Sequence, residues 1–209
     1  MISGTTRVLG VIGDPVAHTS SPAMHNAALK ALGLDYVYVA FHVAPDALPQ
    51  ALAGMRALEL AGLNVTVPHK QAVMAHLDEI SPEAQAIGAV NTVCNRDGKL
   101  LGFNTDAFGI IESLKADGGM DSLPGRVVLL GAGGAARAIL HALLAREEVA
   151  EVLLLNRTVE KAEALKGDLD VAGKVRIGSL ADSGAIADAG LVINATSIGM
   201  HPHEDISPL

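Results

Sequence analysis

The sequence Arg126-Val-Val-Leu-Leu-Gly-Ala-Gly-Gly-Ala-Ala-Arg137 decides the fold of the second half of this chain. Val127 to Leu130 form an uninterrupted apolar run, which is typical of a strand buried on both faces, and strong helix formers follow the glycines. A glycine turn in that position lets the backbone approach a diphosphate, whose charge the N–H groups and dipole of the next helix favour. Gly131, Gly133 and Ala136 match the dinucleotide fingerprint G-x-G-x-x-G/A, although similar turns also serve tight packing alone.

Composition restricts the class of protein. The chain has 209 residues, 50% of them hydrophobic, with a formal net charge of −8 and a pI near 5.4. This size and apolar content suit one or two α/β domains, whereas the acidic balance argues against nucleic acid or anionic membrane as a partner. No apolar run approaches the roughly 20 residues of a membrane helix, and the start of the sequence has no signal-peptide layout. We therefore expect a cytoplasmic protein in which the single cysteine, Cys94, is a small buried hydrophobe.

The N-terminal half alternates between strand and helix patterns. Strands are predicted from Arg7 to Gly13, from Tyr36 to His42, and from Gly62 to a stop at Pro68. Helices are predicted from Ser21 to about Leu32 and from Asp46 to about Leu60, the second with an apolar stripe of Leu48, Leu52, Met55 and Leu58. Arg96-Asp97-Gly98 is a hairpin signal between two further strands. We therefore expect a small parallel sheet that this hairpin extends into a mixed one.

Polar side chains follow the first and third predicted strands. Thr19 and Ser21 stand where a helix begins, so the ordinary role of Ser21 is that of a helix cap. Hydroxyl groups at a helix N-terminus can equally hold a carboxylate. Asn64, Thr66 and Lys70 lie toward the carboxyl end of the third strand, at the edge where open α/β sheets bind ligands, although any single lysine is more often simply exposed.

The hairpin strands place further polar groups near one edge of the same sheet. The first hairpin strand, predicted from Ala89 to Asn95, carries Asn91, and Asn104 and Asp106 lie at the end of the second. Asp106 also precedes an apolar helical run, so its alternative role is that of a helix cap. Glycine and proline pairs then precede the strand at Arg126, which makes that stretch a candidate domain boundary.

The second strand of the C-terminal half distinguishes between two cofactors. It ends in Asn156-Arg157-Thr158, with Lys161 one turn into the next helix. Folds selective for NAD place an acid at this point to accept the ribose 2′-hydroxyl, whereas an arginine pairs with the 2′-phosphate of NADP. Glu160 would already lie on the helix, so the sequence favours NADP. His201-Pro-His203 has no further ligand at metal-binding spacing and is interpreted as a loop, so no metal is expected.

Together these motifs resemble the shikimate dehydrogenase family, and the resemblance spans Gly10 to about Gly199. The matching segments are Gly13-Asp-Pro-Val-Ala-His-Thr-Ser-Ser-Pro-Ala-Met-His-Asn26, Asn64-Val-Thr-Val-Pro-His-Lys70, Ala89-Val-Asn-Thr92, Asn104-Thr-Asp106, Gly131-Ala-Gly-Gly134, Asn156-Arg-Thr158 and Asn194-Ala-Thr-Ser197. The resemblance implies an α/β fold with a mixed substrate-binding and catalytic domain over residues 1–105 and a Rossmann-like NADP domain over residues 106–209. It also implies reversible NADP-dependent reduction of 3-dehydroshikimate to shikimate, in chorismate and aromatic amino acid biosynthesis, by a monomer or homodimer.

The resemblance also implies a role for individual residues at matching positions. Thr19 and Ser21 would bind the substrate carboxylate, while Thr66, Lys70, Asn91 and Asp106 would hold the ring oxygens, with Lys70 and Asp106 as the catalytic pair. The implied cofactor contacts are Gly131, Ala132, Gly133, Gly134, Ala135, Asn156, Arg157, Thr158, Lys161, Ala195, Thr196 and Ser197. Thr19 stands where the family more often has serine, and its extra methyl group restricts the hydroxyl rotamer.

Three expectations remain open on the sequence alone. Family members continue beyond the position of Leu209, so we expect the NADP domain to be truncated. A quinate/shikimate dehydrogenase that uses NAD is an alternative, against which Arg157 and the missing acid count. A non-catalytic fragment that binds NADP or a hydroxy acid is another, against which the retention of both Lys70 and Asp106 counts.

Overall fold

A computed structural model describes residues 2–179, 186–200 and 204–208 of the chain. The strands are β1 (Arg7–Gly13), β2 (Tyr36–His42), β3 (Gly62–Val65), β4 (Glu79–Ile80), β5 (Thr92–Arg96), β6 (Lys99–Phe103), β7 (Arg126–Leu130), β8 (Glu151–Leu155), β9 (Val175–Gly178) and β10 (Leu191–Asn194). The α-helices are α1 (Ser21–Ala31), α2 (Leu48–Ala57), α3 (Pro82–Ile87), α4 (Asp106–Ala116), α5 (Gly134–Leu144) and α6 (Val159–Leu169). The chain divides into two compact units, Met1–Asn104 and Thr105–Leu209.

The first unit is built on a six-stranded sheet with the order β2-β1-β3-β5-β6-β4. β1 pairs in parallel with β2 and β3, because a helix or a longer connection returns the chain to the same end of the sheet each time. β5 and β6 form an antiparallel hairpin, and β5 pairs antiparallel with β3. The mixed sheet predicted from the hairpin signal is therefore confirmed.

The core of the first unit lies between this sheet and α2. Leu48, Leu52 and Met55 project from α2 and are at most 2% exposed. Leu58 was predicted on the same stripe, but it is 73% exposed. The prediction was wrong because α2 ends at Ala57, one residue earlier, so the helical period no longer holds at Leu58.

Two predicted helix caps are also wrong, each by one residue. α1 begins with Ser21 and takes Ser20 as its N-cap, and α4 begins with Asp106 and takes Thr105. Each predicted cap is therefore the first helical residue, so its side chain is not needed at the cap position. The short α3 has Ser81 as its N-cap, and the Ser81 hydroxyl accepts a hydrogen bond from the backbone N–H of Ala84 at 3.2 Å.

The second unit carries a four-stranded parallel sheet with the order β10-β7-β8-β9. Val127 to Leu130 on β7 are at most 1% exposed, which confirms the strand buried on both faces. α5 buries Ala136, Leu140 and Leu143 completely, and with α4 and α6 it contributes to the packing of this unit. Leu130 stands directly beside Leu155 of β8 and Asn194 of β10 in the register of the sheet.

Two further expectations concern the environment of single residues. Cys94 on β5 is only partly buried, so the expectation of a buried thiol is wrong; its strand neighbour Val93 fills the core instead. His201 and His203 lie outside the described residues. Within the described ranges, no helix is both long enough and apolar enough to cross a membrane.

Candidate functional site

In the first unit, the loops that follow β1 and β3 lie against each other. The backbone N–H of Thr66 donates to the carbonyl of Ile12 at 3.0 Å, and the N–H of Asp14 donates to the carbonyl of Val67 at 2.9 Å. A Cβ atom at Gly13 would collide with the methyl group of Thr66. The absence of a side chain at Gly13 therefore lets the two loops meet at the carboxyl ends of parallel strands, where α/β sheets bind ligands.

Two hydroxyl groups stand at the start of α1. The Thr19 hydroxyl donates to the hydroxyl oxygen of Ser21 at 3.0 Å, and the Ser21 N–H donates to Thr19 Oγ1 at 3.2 Å. Both residues are partly buried, and the first turn of α1 contains no acidic residue. A hydroxyl pair at a helix N-terminus suits a carboxylate, because donors and helix dipole act on it in the same direction.

Backbone hydrogen bonds join the stretch of chain at Lys70 to the stretch at Asn91 in the first unit. The N–H of Val90 donates to the carbonyl of Lys70 at 2.8 Å, and the N–H of Val65 donates to the carbonyl of Asn91 at 2.8 Å. Asn91 is 8% exposed, and its side-chain oxygen accepts a hydrogen bond from the Thr92 hydroxyl at 2.9 Å. The structure thus brings Lys70 and Asn91 together with Thr66, whose turn leads into Lys70.

Sequence reasoning missed two side chains that support this segment. His69 is 1% exposed, and its Nε2 lies 2.7 Å from the carbonyl oxygen of Val43. Asn104 is 4% exposed and donates from Nδ2 to the carbonyl of Ala89 at 2.9 Å. Both residues stand inside the quoted motifs, but no local pattern distinguishes His69 from Lys70 or Asn104 from Thr105. Their hydrogen bonds fix the backbone on either side of Lys70 and Asn91.

Asp106 belongs to the second unit, where it is the partly buried first residue of α4. Lys70 belongs to the first unit. The pairing of Lys70 with Asp106 therefore stays a prediction from the family resemblance.

In the second unit, three turns meet at the carboxyl edge of the parallel sheet. The N–H of Gly131 donates to the carbonyl of Leu155 at 2.8 Å, and the N–H of Ala195 donates to the carbonyl of Leu130 at 2.9 Å. These bonds continue the strand pairing beyond the last residues of β7 and β10. The turns that begin at Gly131, Asn156 and Ala195 are therefore neighbours.

The glycine turn fits a diphosphate. Gly131 has a φ of +106°, and a Cβ atom there would lie 3.0 Å from the carbonyl oxygen of Ala195 and 3.1 Å from Thr196 Cγ2. Gly133 is the N-cap of α5, and a Cβ atom on it would meet no heavy atom of the described residues within 4 Å. The N–H groups of the first turn of a helix have no partner within the helix, so the open space beside Gly133 suits an anion.

The turn after β8 carries positive charge. Asn156 donates from Nδ2 to the carbonyl of Thr158 at 2.7 Å, and the N–H of Lys161 donates to the same carbonyl at 3.2 Å. Arg157 and Lys161 are exposed, so both cations can reach a ligand at this edge. The arrangement suits a phosphate group better than a ribose hydroxyl.

The third turn is held by its own side chains. The Thr196 hydroxyl donates to Asn194 Oδ1 at 2.7 Å, and the Thr196 N–H donates to the same oxygen at 3.0 Å. Asn194 in turn donates from Nδ2 to the carbonyl of Ile198 at 3.2 Å. This network fixes the backbone of Ala195 directly against Gly131.

These features define an α/β protein with a mixed-sheet unit followed by a Rossmann-like unit. Residues 11–93 match the family model of the shikimate dehydrogenase substrate binding domain, and residues 116–201 match that of shikimate / quinate 5-dehydrogenase. The shikimate dehydrogenase (NADP(+)) of Symbiobacterium thermophilum is 49% identical to this chain over an alignment 214 residues long. The alignment covers 99% of this chain and 71% of the relative. This chain belongs to the shikimate dehydrogenase family, as the resemblance implied.

Solved structures agree with this membership. The shikimate dehydrogenase of Aquifex aeolicus superposes with a TM-score of 0.88 at 39% identity, covering 100% of this chain and 75% of that one. The shikimate 5-dehydrogenase of Thermus thermophilus, solved in complex with NADP(H) and shikimate, superposes with a TM-score of 0.79 at 44% identity. That comparison covers 92% of this chain and 69% of the other.

Proposed function

We propose that this chain catalyses the reversible, NADP-dependent reduction of 3-dehydroshikimate to shikimate. The observation that carries the proposal is the open glycine turn at Gly133 beside the cationic turn at Arg157 and Lys161, in a member of the shikimate dehydrogenase family. The substrate is a small molecule, and we propose that the protein acts as a monomer or homodimer. Its cytoplasmic location stays a prediction.

The second unit would hold the cofactor through the three neighbouring turns. When bound, NADPH supplies the hydride. The N–H groups at the start of α5 would bind its diphosphate, and Arg157 with Lys161 would bind the 2′-phosphate. Ala132 belongs to the first of these turns, and Gly134 and Ala135 begin α5 directly after it. Asn156 and Thr158 belong to the second, and Ala195, Thr196 and Ser197 form the third.

The first unit would hold the substrate. The hydroxyl groups of Thr19 and Ser21 would bind its carboxylate, since they lie together at the N-terminus of α1. Thr66 and Asn91 would bind ring oxygens. Both lie on backbone that is fixed by hydrogen bonds between neighbouring strands, which would limit the orientations that the bound ring can take.

Lys70 would act on the ketone oxygen that becomes a hydroxyl group, and Asp106 would act on a ring hydroxyl of the substrate. The Lys70 ammonium group would donate a hydrogen bond to the ketone oxygen, stabilise the negative charge that develops there and deliver the proton to it. Asp106 would accept a hydrogen bond from a ring hydroxyl and keep the ring in register with Lys70. In the reverse direction, Lys70 would remove the proton from the hydroxyl group.

The test is a steady-state assay that follows the absorbance of the reduced nicotinamide. The chain is assayed with shikimate or quinate, each with NADP or NAD. We expect reduction of NADP by shikimate. Turnover with NAD and quinate instead would identify the alternative dehydrogenase, and no turnover with any pair would leave a binding protein.

A variant pair then tests the role of Lys70. Lys70→Met keeps the length of the side chain and removes the charge, and we expect kcat to fall by about 10²–10⁴-fold with little change in the KM for shikimate. Lys30→Met, at the exposed end of α1, is the matched control and keeps the activity of the unchanged chain. A Lys70→Met variant with normal kcat would remove Lys70 from the mechanism.

A further inference from the structure

Tyr38 is a buried tyrosine that the proposed mechanism does not use. It lies on β2 and is 3% exposed, and its ring stacks on that of His25 with a centroid distance of 4.2 Å. Asn26 holds its backbone from both sides, because Nδ2 donates to the Tyr38 carbonyl at 2.8 Å and Oδ1 accepts from the Tyr38 N–H at 2.9 Å. His25 and Asn26 both belong to α1, so the helix that carries Ser21 also fixes Tyr38.

The phenol group of Tyr38 begins a chain of hydrogen bonds that all run in one direction. The Tyr38 hydroxyl donates to Asn64 Oδ1 at 2.6 Å, and Asn64 Nδ2 donates to Thr92 Oγ1 at 3.2 Å. The Thr92 hydroxyl then donates to Asn91 Oδ1 at 2.9 Å. Since Oδ1 of Asn64 is occupied by the phenol, its amino group must face Thr92, and the hydroxyl of Thr92 is directed onto Asn91.

At its other end the chain reaches the hydroxyl pair at the start of α1. Burial raises the pKa of Tyr38 to about 12, and a hydrogen bond with the Ser21 side chain opposes that rise. The phenol therefore keeps its proton at neutral pH, and it keeps its role as the donor to Asn64. Ser21 in turn accepts from Thr19 at 3.0 Å.

We propose that Tyr38 is a positioning residue for substrate binding, which it serves by orienting the amides of Asn64 and, through Thr92, of Asn91. This inference rests on the proposed function. Because the Thr92 hydroxyl donates to its Oδ1, the side-chain amide of Asn91 is held in one orientation. Tyr38 thereby orients Asn91 to donate a hydrogen bond to a ring oxygen of the substrate, while the hydroxyl pair at the start of α1 binds the substrate carboxylate.

Removal of one oxygen atom tests this role without removing the ring. In Tyr38→Phe the Asn64 amide loses the donor to its oxygen and keeps only the contacts of Nδ2 with Thr92 Oγ1 at 3.2 Å and with the Asn91 carbonyl at 3.5 Å. The amide of Asn64 is then held less firmly, and so are the Thr92 hydroxyl and the Asn91 amide that follow it in the chain. Thr92→Val breaks the same chain one step later, with a side chain of the same shape.

The experiment compares four proteins by kinetics and by calorimetric titration with shikimate. We expect Tyr38→Phe and Thr92→Val each to raise both the KM and the Kd for shikimate by about five- to tenfold, the effect of one hydrogen bond. The kcat and the KM for NADP stay within about twofold. The Kd of the double variant for shikimate is no higher than that of the weaker-binding single variant, because both changes break the same chain of hydrogen bonds. Tyr36→Phe, on the same strand, loses an exposed phenol that accepts from Arg7 and is the control.

The outcomes separate this inference from the proposed function. If Tyr38→Phe matches Tyr36→Phe in the KM and Kd for shikimate, Tyr38 only packs, and the inference is overturned. If Tyr38→Phe has a lower melting temperature but an unchanged Kd for shikimate, the inference is likewise overturned. If the unchanged chain binds shikimate without turnover, the proposed function fails, while the order of the Kd values still supports or overturns the inference. If the unchanged chain does not bind shikimate, both are overturned.

Discussion

Alanine at Gly131 will cost stability, whereas alanine at Gly133 will cost cofactor affinity. At Gly131 the φ of +106° is a conformation that L side chains rarely adopt. The new Cβ would also lie 3.0 Å from the carbonyl oxygen of Ala195, an atom of the backbone that β10 and β7 hold in place. Backbone strain of about 1–3 kcal/mol and a further overpacking term of about 1 kcal/mol or more give a loss of about 2–4 kcal/mol in the free energy of unfolding.

At Gly133 the same methyl group has a different effect. The residue is extended, with a φ of −88° and a ψ of −172°, and a Cβ atom would meet no heavy atom of the described residues within 4 Å. We expect the free energy of unfolding to change by less than about 1 kcal/mol, the difference between glycine and alanine at a helix N-cap. The methyl group would fill the space proposed for the diphosphate, so NADP binding weakens by about tenfold or more, which is about 1.4 kcal/mol.

Two measurements on each variant check this prediction. Urea unfolding followed by circular dichroism gives the free energy of unfolding, and calorimetric titration gives the Kd for NADP. The reasoning is refuted if Gly131→Ala is as stable as the unchanged chain, or if Gly133→Ala binds NADP normally. A Gly133→Ala variant that loses as much stability as Gly131→Ala would show that the turn serves packing alone.

Three other predictions concern the core, the pH dependence and the choice of cofactor. Leu52→Ala, at 2% exposure, lowers the free energy of unfolding by about 2–5 kcal/mol, whereas Leu58→Ala, at 73% exposure, changes it by less than about 0.5 kcal/mol; urea unfolding measures both. A hydrogen bond from Arg56 holds the pKa of Asp78 below its usual value, so its contribution to stability is present at neutral pH and is lost as the pH falls through that lowered pKa. Asp78→Asn should therefore make the free energy of unfolding less dependent on pH in the acid range, and an unchanged pH profile would contradict this. Arg157→Ala should raise the KM for NADP by about 10–100-fold and leave that for NAD unchanged; equal changes for both cofactors would place Arg157 away from the 2′-phosphate.

The local elements of the fold could be read from residue patterns, since each depends on neighbours in sequence. The apolar run at Val127 to Leu130 and the hairpin at Asp97 both follow from short-range chemistry. The errors in the bounds of elements fall at helix ends. Leu58 and Ser21 each stand one residue from a boundary, and a boundary depends on tertiary contacts as well as on propensity.

The candidate site was predicted less completely than the fold. The glycine turn and Arg157 have sequence signals because their chemistry is local. The support that His69 and Asn104 give to the substrate segment has no such signal, since each bonds to a backbone carbonyl of another part of the chain.

The sequence alone determined the kinds of element, the family and the candidate chemical groups of this protein. Only the tertiary structure decided which groups are neighbours. Strand order brings the turn at Ala195 against Gly131, although α5, β8, α6 and β9 lie between them in the sequence. The register of the first sheet brings Tyr38 to Asn64 and Asn64 to Thr92. Contacts of this kind arise when distant strands pair and bury their side chains together, and no pattern of adjacent residues specifies that pairing.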